Sequence, residues 1–327
     1  MISLGIEGTA HTLGIGIVDD NEIIGDIRKT YKPPAGSGII PRDAAQFLGD
    51  NMGVAIDEAK NVLSENNLEI NDVDLISFSQ VPGMGPCLRT AATAARALSL
   101  HYKIPILGVN HCVAHIEIGK MLCSFRDPLV LYVSGGNTQI LKLKENRYRI
   151  FGETLDIGIG NMLDKFGREV GLQHPAGGKI EELAGKGKEY IELPYVVKGT
   201  DLSFSGVFTA AVQKFKKGGN LEDLCFSLQE TSFAMLTEVT ERALAHLKLK
   251  EVLLTGGVGN NKRLAEMLGL MAKEHGAEFG VPVGFCSDNG VMIAYLGLLM
   301  HNAGIRQKLE DTVARQRFRT DAVEVLW

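Results

Sequence analysis

The sequence predicts an α/β protein made of two similar lobes that face each other across a cleft. One observation is an internal repeat, in which the same series of strand, turn and helix patterns occurs twice. A second is that short glycine-containing turns follow strands at corresponding places in the two copies. A third is the size and composition of the chain, 327 residues of which 45% are hydrophobic and 22% charged. These values are typical of a globular protein of about two domains.

The first copy reads strand, glycine turn, strand, polar turn, strand, helix, and then two further strand–helix pairs. Its predicted elements are strands at residues 4–7, 13–18 and 22–28, with a polar turn at 19–21, a helix at 44–63, a strand at 74–78, a helix at 87–100, a strand at 106–109 and a helix from His111. Alternating apolar residues indicate the strands and helical periodicity indicates the helices.

The second copy has the same order of patterns. Its predicted elements are strands beginning at 131 and at 139–143 and 148–151, a helix at 161–170, a strand at 251–255, a helix at 262–273, a strand at 281–286 and a helix from Asp288. A matching order over this many elements argues against chance. We predict lobe I over residues 1–127 and lobe II over 128–288, with a C-terminal helix over 289–327 that packs back on lobe I.

Charge, cysteine content and hydropathy restrict the class of protein. The net charge of −5 argues against a stand-alone nucleic-acid-binding protein, because such proteins neutralise phosphates with basic groups. The five cysteines form no CxxC pair and are expected to be free thiols in a reducing cytosol. No apolar run is long enough to cross a membrane, and the N-terminus lacks the basic start of a signal peptide. We therefore expect a cytoplasmic protein without a membrane partner.

His111 and His115 lie four residues apart, which places both imidazoles on one face of a helix. Two imidazoles one turn apart can bind a single divalent metal ion. The spacing alone is more typical of two partly exposed, hydrogen-bonded histidines that bind nothing. A zinc peptidase would need a glutamate directly after the first histidine, and Cys112 occupies that place.

The repeat brings further ligand candidates towards the histidines. His111 and Asp288 each follow the last predicted strand of a lobe, and Tyr132 lies beside the first glycine turn of lobe II. Residues at the carboxyl ends of such strands line the ligand crevice. Imidazole, phenolate and carboxylate together suit iron, zinc or manganese. Taken singly, Tyr132 is typical of a core aromatic residue and Asp288 of a helix N-cap.

The glycine turns favour a nucleotide in the cleft. Backbone amides at Gly135 and Gly136 are suited to hold phosphate oxygens, although neither a Walker A motif nor a dinucleotide fingerprint is present. Asp164 is expected one turn inside a helix, where it either binds ribose hydroxyls or is a solvated charge. Gly177 opens another helix and would let a ribose or base approach, and Glu181 one turn later is a hydrogen-bond acceptor or an ordinary first-turn glutamate.

Several motifs together resemble one enzyme family. They are residues 5–12 (GIEGTAHT), 110–117 (NHCVAHIE), 132–138 (YVSGGNT), 201–206 (DLSFSG), 227–231 (SLQET), 256–258 (GGV) and 316–321 (QRFRTD). Across essentially the whole chain, the sequence resembles the archaeal and eukaryotic tRNA threonylcarbamoyltransferases, the catalytic subunits of the KEOPS complex. The resemblance implies duplicated actin-like, ribonuclease H-like lobes of the superfamily that includes actin, Hsp70 and sugar kinases.

The resemblance also implies an activity and its site residues. Family members transfer a threonylcarbamoyl group from threonylcarbamoyl-AMP to N6 of the adenosine beside the tRNA anticodon, releasing AMP. The implied metal ligands are His111, His115, Tyr132 and Asp288, for one divalent ion per chain, with Fe²⁺ expected ahead of Zn²⁺ or Mg²⁺. The implied nucleotide contacts are Tyr132, Val133, Ser134, Gly135, Gly136, Asp164, Gly177, Glu181 and Asn261.

The chain departs from the family pattern at two places beside these contacts. Gly259 and Asn260 stand where two alanines are usual before Asn261, and residues 175–178 depart at Ala176 and Gly178 from the usual Pro-Gly-Gly-Pro of the family.

The implied partners are tRNA, threonylcarbamoyl-AMP or ATP, a small dimerising subunit and an atypical small kinase. In some archaea that kinase is fused after this region. The chain ends at Trp327 without kinase motifs, so we expect a separate subunit or one part of a longer fused protein.

Two other functions use the same fold. One is an ATP-dependent kinase or ATPase of this superfamily, in which the histidine pair would have no role. The other is a scaffold that binds nucleotide without catalysis. Because the net charge is negative, tRNA would have to be bound by local basic groups or by partners. The candidate groups are Lys142, Lys144, Arg147, Arg149, Lys214, Lys216, Lys217, Arg315, Arg317 and Arg319, although each taken singly is more typical of an ordinary solvated surface.

Overall fold

The computed structural model describes residues 1–20, 22–34 and 36–327, and over these ranges the strands form two five-stranded mixed sheets and one two-stranded ribbon. The predicted polar turn at 19–21 includes Asn21, which lies outside the described residues.

The first sheet has the order β3-β2-β1-β4-β5. Its strands are β1 (Ser3–Glu7), β2 (Thr12–Val18), β3 (Ile23–Thr30), β4 (Leu75–Val81) and β5 (Ile106–Asn110). Strands β1, β2 and β3 form an antiparallel meander, while β4 and β5 are added in parallel on the other side of β1. Parallel addition requires crossover helices, which the chain supplies as α1 (Pro41–Glu65) and α2 (Gly85–Tyr102).

The second sheet repeats this arrangement, with the order β12-β11-β6-β7-β8. Its strands are β6 (Leu129–Val133), β7 (Thr138–Lys144), β8 (Arg147–Glu153), β11 (Glu251–Thr255) and β12 (Glu278–Gly280), and the ribbon consists of β9 (Val197–Lys198) and β10 (Asp201–Leu202). The meander β6-β7-β8 is antiparallel, and β11 and β12 are added in parallel beside β6. The predicted duplication is therefore confirmed in strand order and in strand direction.

Helices cover both sheets because their apolar residues recur every three or four positions. In α1 the buried residues are Ala44, Leu48, Met52, Ala55, Ala59 and Leu63, which form one stripe. The other helices are α3 (His111–Cys123), α4 (Ile159–Glu169), α5 (Gly177–Ala184), α6 (Ser205–Lys216), α7 (Leu221–Leu247), α8 (Lys262–Glu274) and α9 (Gly290–Asn302). Within the described ranges, no helix is long and apolar enough to cross a membrane.

Helices α3 and α9 lie between the two sheets and share one core. Val113 and Ile116 of α3 pack with Leu253 of the second sheet, and Val291 of α9 belongs to the same cluster. Helix α9 lies against β1, β2 and β4 of the first sheet. The helix that follows each sheet thus contacts the opposite sheet, and the N-termini of both helices come together between the lobes. The division into residues 1–127 and 128–288 itself stays a prediction.

Glycines allow α9 to approach the first sheet at backbone distance. A Cβ on Gly16 would lie 2.1 Å from the backbone nitrogen of Val291, and one on Gly5 would lie 2.2 Å from that of Ala294. These distances leave no room for a side chain. The glycines therefore set how deeply α9 sits, and α9 in turn fixes the loop that precedes it.

Two predicted elements were wrong. The strand predicted at 281–286 is irregular, and β12 lies earlier, at Glu278–Gly280. Pro282 cannot donate a ladder hydrogen bond and Gly284 has a φ of 84°, so this apolar run cannot continue the strand. The helix predicted over 289–327 ends at Asn302, where Gly304 follows with a φ of 84°.

The remaining C-terminal segment is irregular apart from two single 3₁₀ turns, Leu309–Asp311 and Thr320–Ala322, and it runs across both lobes. The backbone nitrogen of Arg315 donates to the carbonyl of Gln80 in the first sheet. Further along, Thr320 Oγ1 lies 3.3 Å from Oε1 of Gln139 in the second sheet. The segment therefore joins the two lobes.

Candidate metal centre and nucleotide cleft

Helix α3 begins at the metal-ligand candidates. The Asn110 side chain caps it by accepting a hydrogen bond from the backbone nitrogen of Val113 at 3.1 Å. Almost every side chain in its first three turns is buried, since the helix lies between the sheets. His111 and His115 are therefore enclosed, with ring centroids 4.7 Å apart and an interplanar angle of 87°. The alternative of two partly exposed histidines does not describe this arrangement.

Asp288 meets both histidines from the other lobe. Its Oδ1 lies 3.3 Å from Nε2 of His115 and 3.5 Å from Nε2 of His111. One ligand atom from each of the three side chains lies within 4.8 Å of the others. The cap of α9 is Asn289, which accepts a hydrogen bond from Met292 at 2.9 Å, so Asp288 is not used as an N-cap. Three of the four predicted ligands thus converge.

Tyr132 lies beside this cluster. Its ring centroid is 5.5 Å from that of His115, and the side chain is 1% exposed. Burial raises the pKa of its hydroxyl well above the usual value of 10, and the neighbouring Cys112 and Asp288 raise this pKa further. The hydroxyl interacts with Ser134 and Cys112. The phenol is therefore neutral at physiological pH, and its ring packs against that of His115.

Glu7 completes the cluster, and sequence reasoning missed it. This carboxylate at the end of β1 is fully buried, and its Oε2 lies 3.0 Å from Nδ1 of His111. Its Oε1 accepts hydrogen bonds from the backbone nitrogen and the hydroxyl of Thr9, at 2.7 and 2.6 Å. A carboxylate on one ring nitrogen leaves the other nitrogen for a metal ion. The available signal was an acidic residue inside an apolar strand, directly before a glycine turn.

The charged groups of this cluster shift one another's pKa values. Although burial disfavours the imidazolium, the carboxylates of Glu7 and Asp288 raise the pKa of His111 to about 9. Burial lowers the pKa of His115, and repulsion by His111 acts in the same direction. The pKa of Asp288 is lowered because the attraction of His111 and His115 outweighs its burial. Two imidazole nitrogens beside an ionised carboxylate are a donor set that fits a divalent iron or zinc ion.

The glycine turn after β6 presents free backbone amides. Ser134 and Asn137 close this turn, with a backbone bond of 2.8 Å from Ser134 N to Asn137 O. Gly135 and Gly136 are exposed between them, and their N–H groups donate to no other group in the described ranges. Gly160 of α4 approaches so closely that a Cβ there would lie 2.7 Å from the Ser134 carbonyl. Two free amides in such a turn suit a phosphate group.

The side chain of Val133 points away from this turn. It is fully buried and belongs to the core formed with α7, on the opposite face of the sheet from Tyr132. This follows from the alternation of side chains along β6. Any contact of Val133 with a nucleotide would have to use its backbone.

The side chain of Asp164, in α4, lies beside the start of α5, where Gly177 is the first residue. Oδ1 of Asp164 accepts a hydrogen bond from the backbone nitrogen of Ala176 at 2.7 Å, which ties α4 to this turn. A Cβ on Gly177 would meet no described atom within 4 Å. The helix therefore begins beside open space, which fits the prediction that a ribose or base approaches there.

Glu181 and Asn261 belong to one hydrogen-bonded cluster. Oε1 of Glu181 accepts from the backbone nitrogen of Lys262 at 2.9 Å. Asn261 caps α8 through its Oδ1 and donates through Nδ2 to Oε1 of Gln229 at 2.9 Å. Helices α5, α7 and α8 thus meet at the predicted nucleotide contacts, and Gln229 is a member that sequence reasoning missed.

The lobes also meet directly between the metal cluster and Asp164. His11, in the turn after β1, packs edge-on against His174 of lobe II, with ring centroids 5.6 Å apart. Nδ1 of His174 lies 3.3 Å from Oδ2 of Asp164. These two histidines, which were not among the predicted site residues, close the cleft at this point.

One of the basic candidates for tRNA contact is not on the surface. Lys142 is 7% exposed, and its ammonium group binds the carbonyl and the carboxylate of Asp127. Arg147 donates to the carbonyl of Ala322 and thereby attaches the β7–β8 hairpin to the C-terminal segment.

Solved structures define the class of protein to which this fold belongs. The fold is similar to that of the HypF protein of T. kodakarensis, with a TM-score of 0.61 and 15% identity over 91% of this chain and 47% of that one. It is also similar to component A of the (R)-2-hydroxyglutaryl-CoA dehydratase of Acidaminococcus fermentans, with a TM-score of 0.54 and 14% identity over 90% of this chain and 96% of that one. The protein is a two-lobed member of the actin-like fold class, as predicted.

Sequence comparison identifies the family within that class. The model of the TsaD family, tRNA N6-adenosine threonylcarbamoyltransferase, matches residues 22–295, and the chain belongs to this family. The protein of that name from Thermococcus kodakarensis is 56% identical over 329 residues, covering both chains completely, and the one from Archaeoglobus fulgidus is 53% identical over 328 residues, also covering both completely. A Methanosarcina mazei protein, named as a probable bifunctional tRNA threonylcarbamoyladenosine biosynthesis protein, is 56% identical over 99% of this chain but only 59% of its own length. The predicted family resemblance is confirmed.

Proposed function

We propose that this protein transfers the threonylcarbamoyl group from threonylcarbamoyl-AMP to N6 of the adenosine adjacent to the anticodon of tRNA, with release of AMP. The proposal is supported by full-length relatives that carry the name of this activity. The structural observation that supports it best is the position of two sites along β6. Tyr132 packs against the histidine cluster, and three residues later the free amides of Gly135 and Gly136 begin. A phosphate in the turn would therefore lie close to the cluster.

The reaction needs positioning more than it needs a protein nucleophile. The substrate is a mixed anhydride whose carbonyl is already activated. The N6 amine forms the new C–N bond, the bond from the carbonyl carbon to the phosphate oxygen breaks, AMP leaves with the electron pair, and the amine loses a proton. Hydrogen bonds from Gly135 and Gly136 would stabilise the charge that develops on the departing phosphate. Asp164 and Glu181 would hold the ribose and thereby fix the carbonyl relative to the acceptor.

The buried cluster is the proposed site of one divalent metal ion per chain. His111, His115 and Asp288 would hold the ion, with Tyr132 as a further ligand and Glu7 orienting His111. Fe²⁺ and Zn²⁺ match imidazole donors better than Mg²⁺, which prefers oxygen ligands. When bound, such an ion supplies Lewis-acid polarisation of a carbonyl or phosphate oxygen.

A partner subunit is proposed from the longer relatives. In the Methanosarcina mazei protein the matching region is 59% of a bifunctional chain, so a second activity of the same pathway is fused to it there. We propose that the present chain works in the cytoplasm with a small atypical kinase and a small dimerising subunit.

The assay uses labelled threonylcarbamoyl-AMP and tRNA, with and without these partners. The expected products are labelled tRNA and AMP, and a tRNA with guanosine in place of the target adenosine stays unlabelled. A kinase of the same fold is not favoured, since the histidine–aspartate cluster has no role in it. Formation of ADP from ATP together with a phosphorylated small molecule, without labelled tRNA, would overturn the proposal.

A further inference from the structure

The amide side chain of Asn261 is bound by the protein at both ends. Its Oδ1 accepts hydrogen bonds from the backbone nitrogens of Arg263 and Leu264, at 2.9 and 3.2 Å. Its Nδ2 donates to Oε1 of Gln229 at 2.9 Å. Two backbone donors at one end require an oxygen there, so the orientation of the Asn261 amide is unambiguous. The atom of Gln229 that faces it must then be an oxygen as well.

This bonding leaves a defined set of polar groups for a ligand. An amide nitrogen carries two hydrogens, and Asn261 uses one of them on Gln229. The second hydrogen remains as a donor. Glu181 uses Oε1 for the backbone nitrogen of Lys262, which leaves Oε2 as an acceptor. One donor and one acceptor on neighbouring helices are complementary to a nucleoside, which offers both ring acceptors and ribose hydroxyls.

Gln229 is itself held rigidly relative to Asn261. It is 5% exposed on α7. The next residue, Glu230, binds Arg263 of α8 through two parallel bonds of 2.8 Å, from Nε to Oε1 and from Nη2 to Oε2. A bidentate pair of this kind fixes both distance and orientation. Helix α7 therefore presents the Gln229 oxygen to Asn261 in one geometry.

We propose that Gln229 is a positioning residue of the nucleotide site, which holds the Asn261 amide so that its remaining hydrogen donates to the bound adenylate. The proposal rests on the proposed function, because that function makes Asn261 a nucleotide contact. Gln229 acts through Asn261. Without the Gln229 oxygen the amide is held only at its Oδ1 end, and Nδ2 loses the bond that directs its remaining hydrogen towards the adenylate.

Two substitutions in the full-length protein separate this role from simple packing. Gln229→Met keeps the approximate volume and removes the acceptor, whereas Gln229→Glu keeps an oxygen in the same place. Calorimetric titration with AMP should show affinity reduced about tenfold in Gln229→Met and largely restored in Gln229→Glu. In the transfer assay KM for the acyl adenylate should rise by a similar factor while kcat changes little, as for an interaction that is equal in ground and transition states. Gln213→Met, at an exposed site on α6, is the matched control and should bind AMP like the wild type.

Wild-type affinity for AMP in a folded Gln229→Met variant would overturn the proposal. An equal loss of AMP affinity in Gln229→Met and Gln229→Glu would also overturn it, because such a result indicates a packing effect. A measurement on the wild type avoids any folding defect, since the side-chain amide NMR signal of Asn261 should shift when AMP is added. An unchanged signal with AMP bound contradicts the proposal. If AMP binding responds as described but no transfer to tRNA occurs, the proposed function fails and this inference stands.

Discussion

The carboxylate of Glu7 lies 3.0 Å from Nδ1 of His111, and this contact determines which ring nitrogen of His111 faces the cluster. Glu7 ends a strand of lobe I, and Asp288, on the other side of the histidine, precedes α9. His111 is therefore held between two carboxylates. A carboxylate that orients a metal-binding imidazole also increases its basicity as a ligand.

Glu7→Gln should weaken metal binding without removing a ligand. The neutral amide keeps the shape of the side chain but loses the charge that orients His111, so the metal dissociation constant should rise about 10–100-fold. Competition with a chromogenic chelator measures this constant. Glu58→Gln, at a partly exposed ion pair with Lys29 on the first lobe, is the control and should leave the constant unchanged. Unaltered metal affinity in Glu7→Gln would show that Glu7 does not support the site.

His115→Ala and Asp288→Ala should each lose both the metal and the transfer activity. Each substitution removes one of the three converging ligand atoms. The two that remain are joined only by Tyr132, whose raised pKa makes its hydroxyl a weak ligand, so metal affinity should fall below what survives purification. Metal content by mass spectrometry and labelled transfer to tRNA are measured on the same preparations. His275→Ala is the matched control, because this histidine is paired with Glu241 at the surface. Full metal content in either site variant contradicts the assignment.

Asp156 should make the stability of lobe II depend on pH. Burial raises the pKa of this carboxyl, but hydrogen bonds from the backbone of Phe204, Ser205 and Ile157 outweigh burial and lower the pKa below 3.8. Because the folded pKa is below the unfolded one, the stabilisation is present above about pH 4 and is lost as pH falls through the folded pKa.

The test compares Asp156→Asn with the wild type in urea at several pH values. The variant should be less stable at pH 7 by about 1 kcal/mol, a modest figure because the side chain is largely exposed. The difference should shrink below pH 4. A difference that stays constant down to pH 2 would show that the charge of Asp156 is not what stabilises the start of α6.

Gly16→Ala should destabilise the protein and weaken metal binding together. The added methyl would lie 2.1 Å from the backbone nitrogen of Val291, so α9 would have to move. Overpacking of this kind costs about 1–3 kcal/mol. Asp288 precedes α9 and would be displaced with it. Urea unfolding and metal titration are the two measurements.

The control is Gly53→Ala, inside α1, where a Cβ meets no described atom within 4 Å. This change should stabilise the protein by about 1 kcal/mol through helix propensity. A Gly16→Ala variant as stable as the wild type would show that α9 is free to shift on the first sheet.

The sequence predicted regular elements well where the apolar pattern and the flanking residues agreed. Strand β11 was predicted with its observed bounds, Glu251–Thr255, because a short apolar run is followed there directly by a glycine pair. The strand predicted at 281–286 was wrong. Its apolar composition favours a strand, but Pro282 interrupts the run, and Val283 is 86% exposed. The duplicated order of strands was predictable because it rests on many elements rather than on one boundary.

The site was predictable only in part. His111 and His115 share a helix, so their proximity follows from spacing alone. The internal repeat predicted Asp288 as a ligand, even though the strand predicted directly before it was wrong. Glu7 and Gln229 could not be found this way, because each meets its partner across a distance in sequence that no local pattern encodes. A buried carboxylate or amide in an apolar run is the sign that such a partner exists.

Transfer of labelled threonylcarbamoyl to tRNA by metal-depleted and then reloaded protein shows whether the reaction requires an ion bound by His111, His115 and Asp288. The protein is stripped with a chelator, assayed with its partners, and assayed again after addition of Fe²⁺ or Zn²⁺. Labelled tRNA should disappear on depletion and return on reloading in the wild type, and should stay absent after reloading of His115→Ala. Undiminished transfer by protein shown to contain no metal would mean that the cluster does not act through a bound ion.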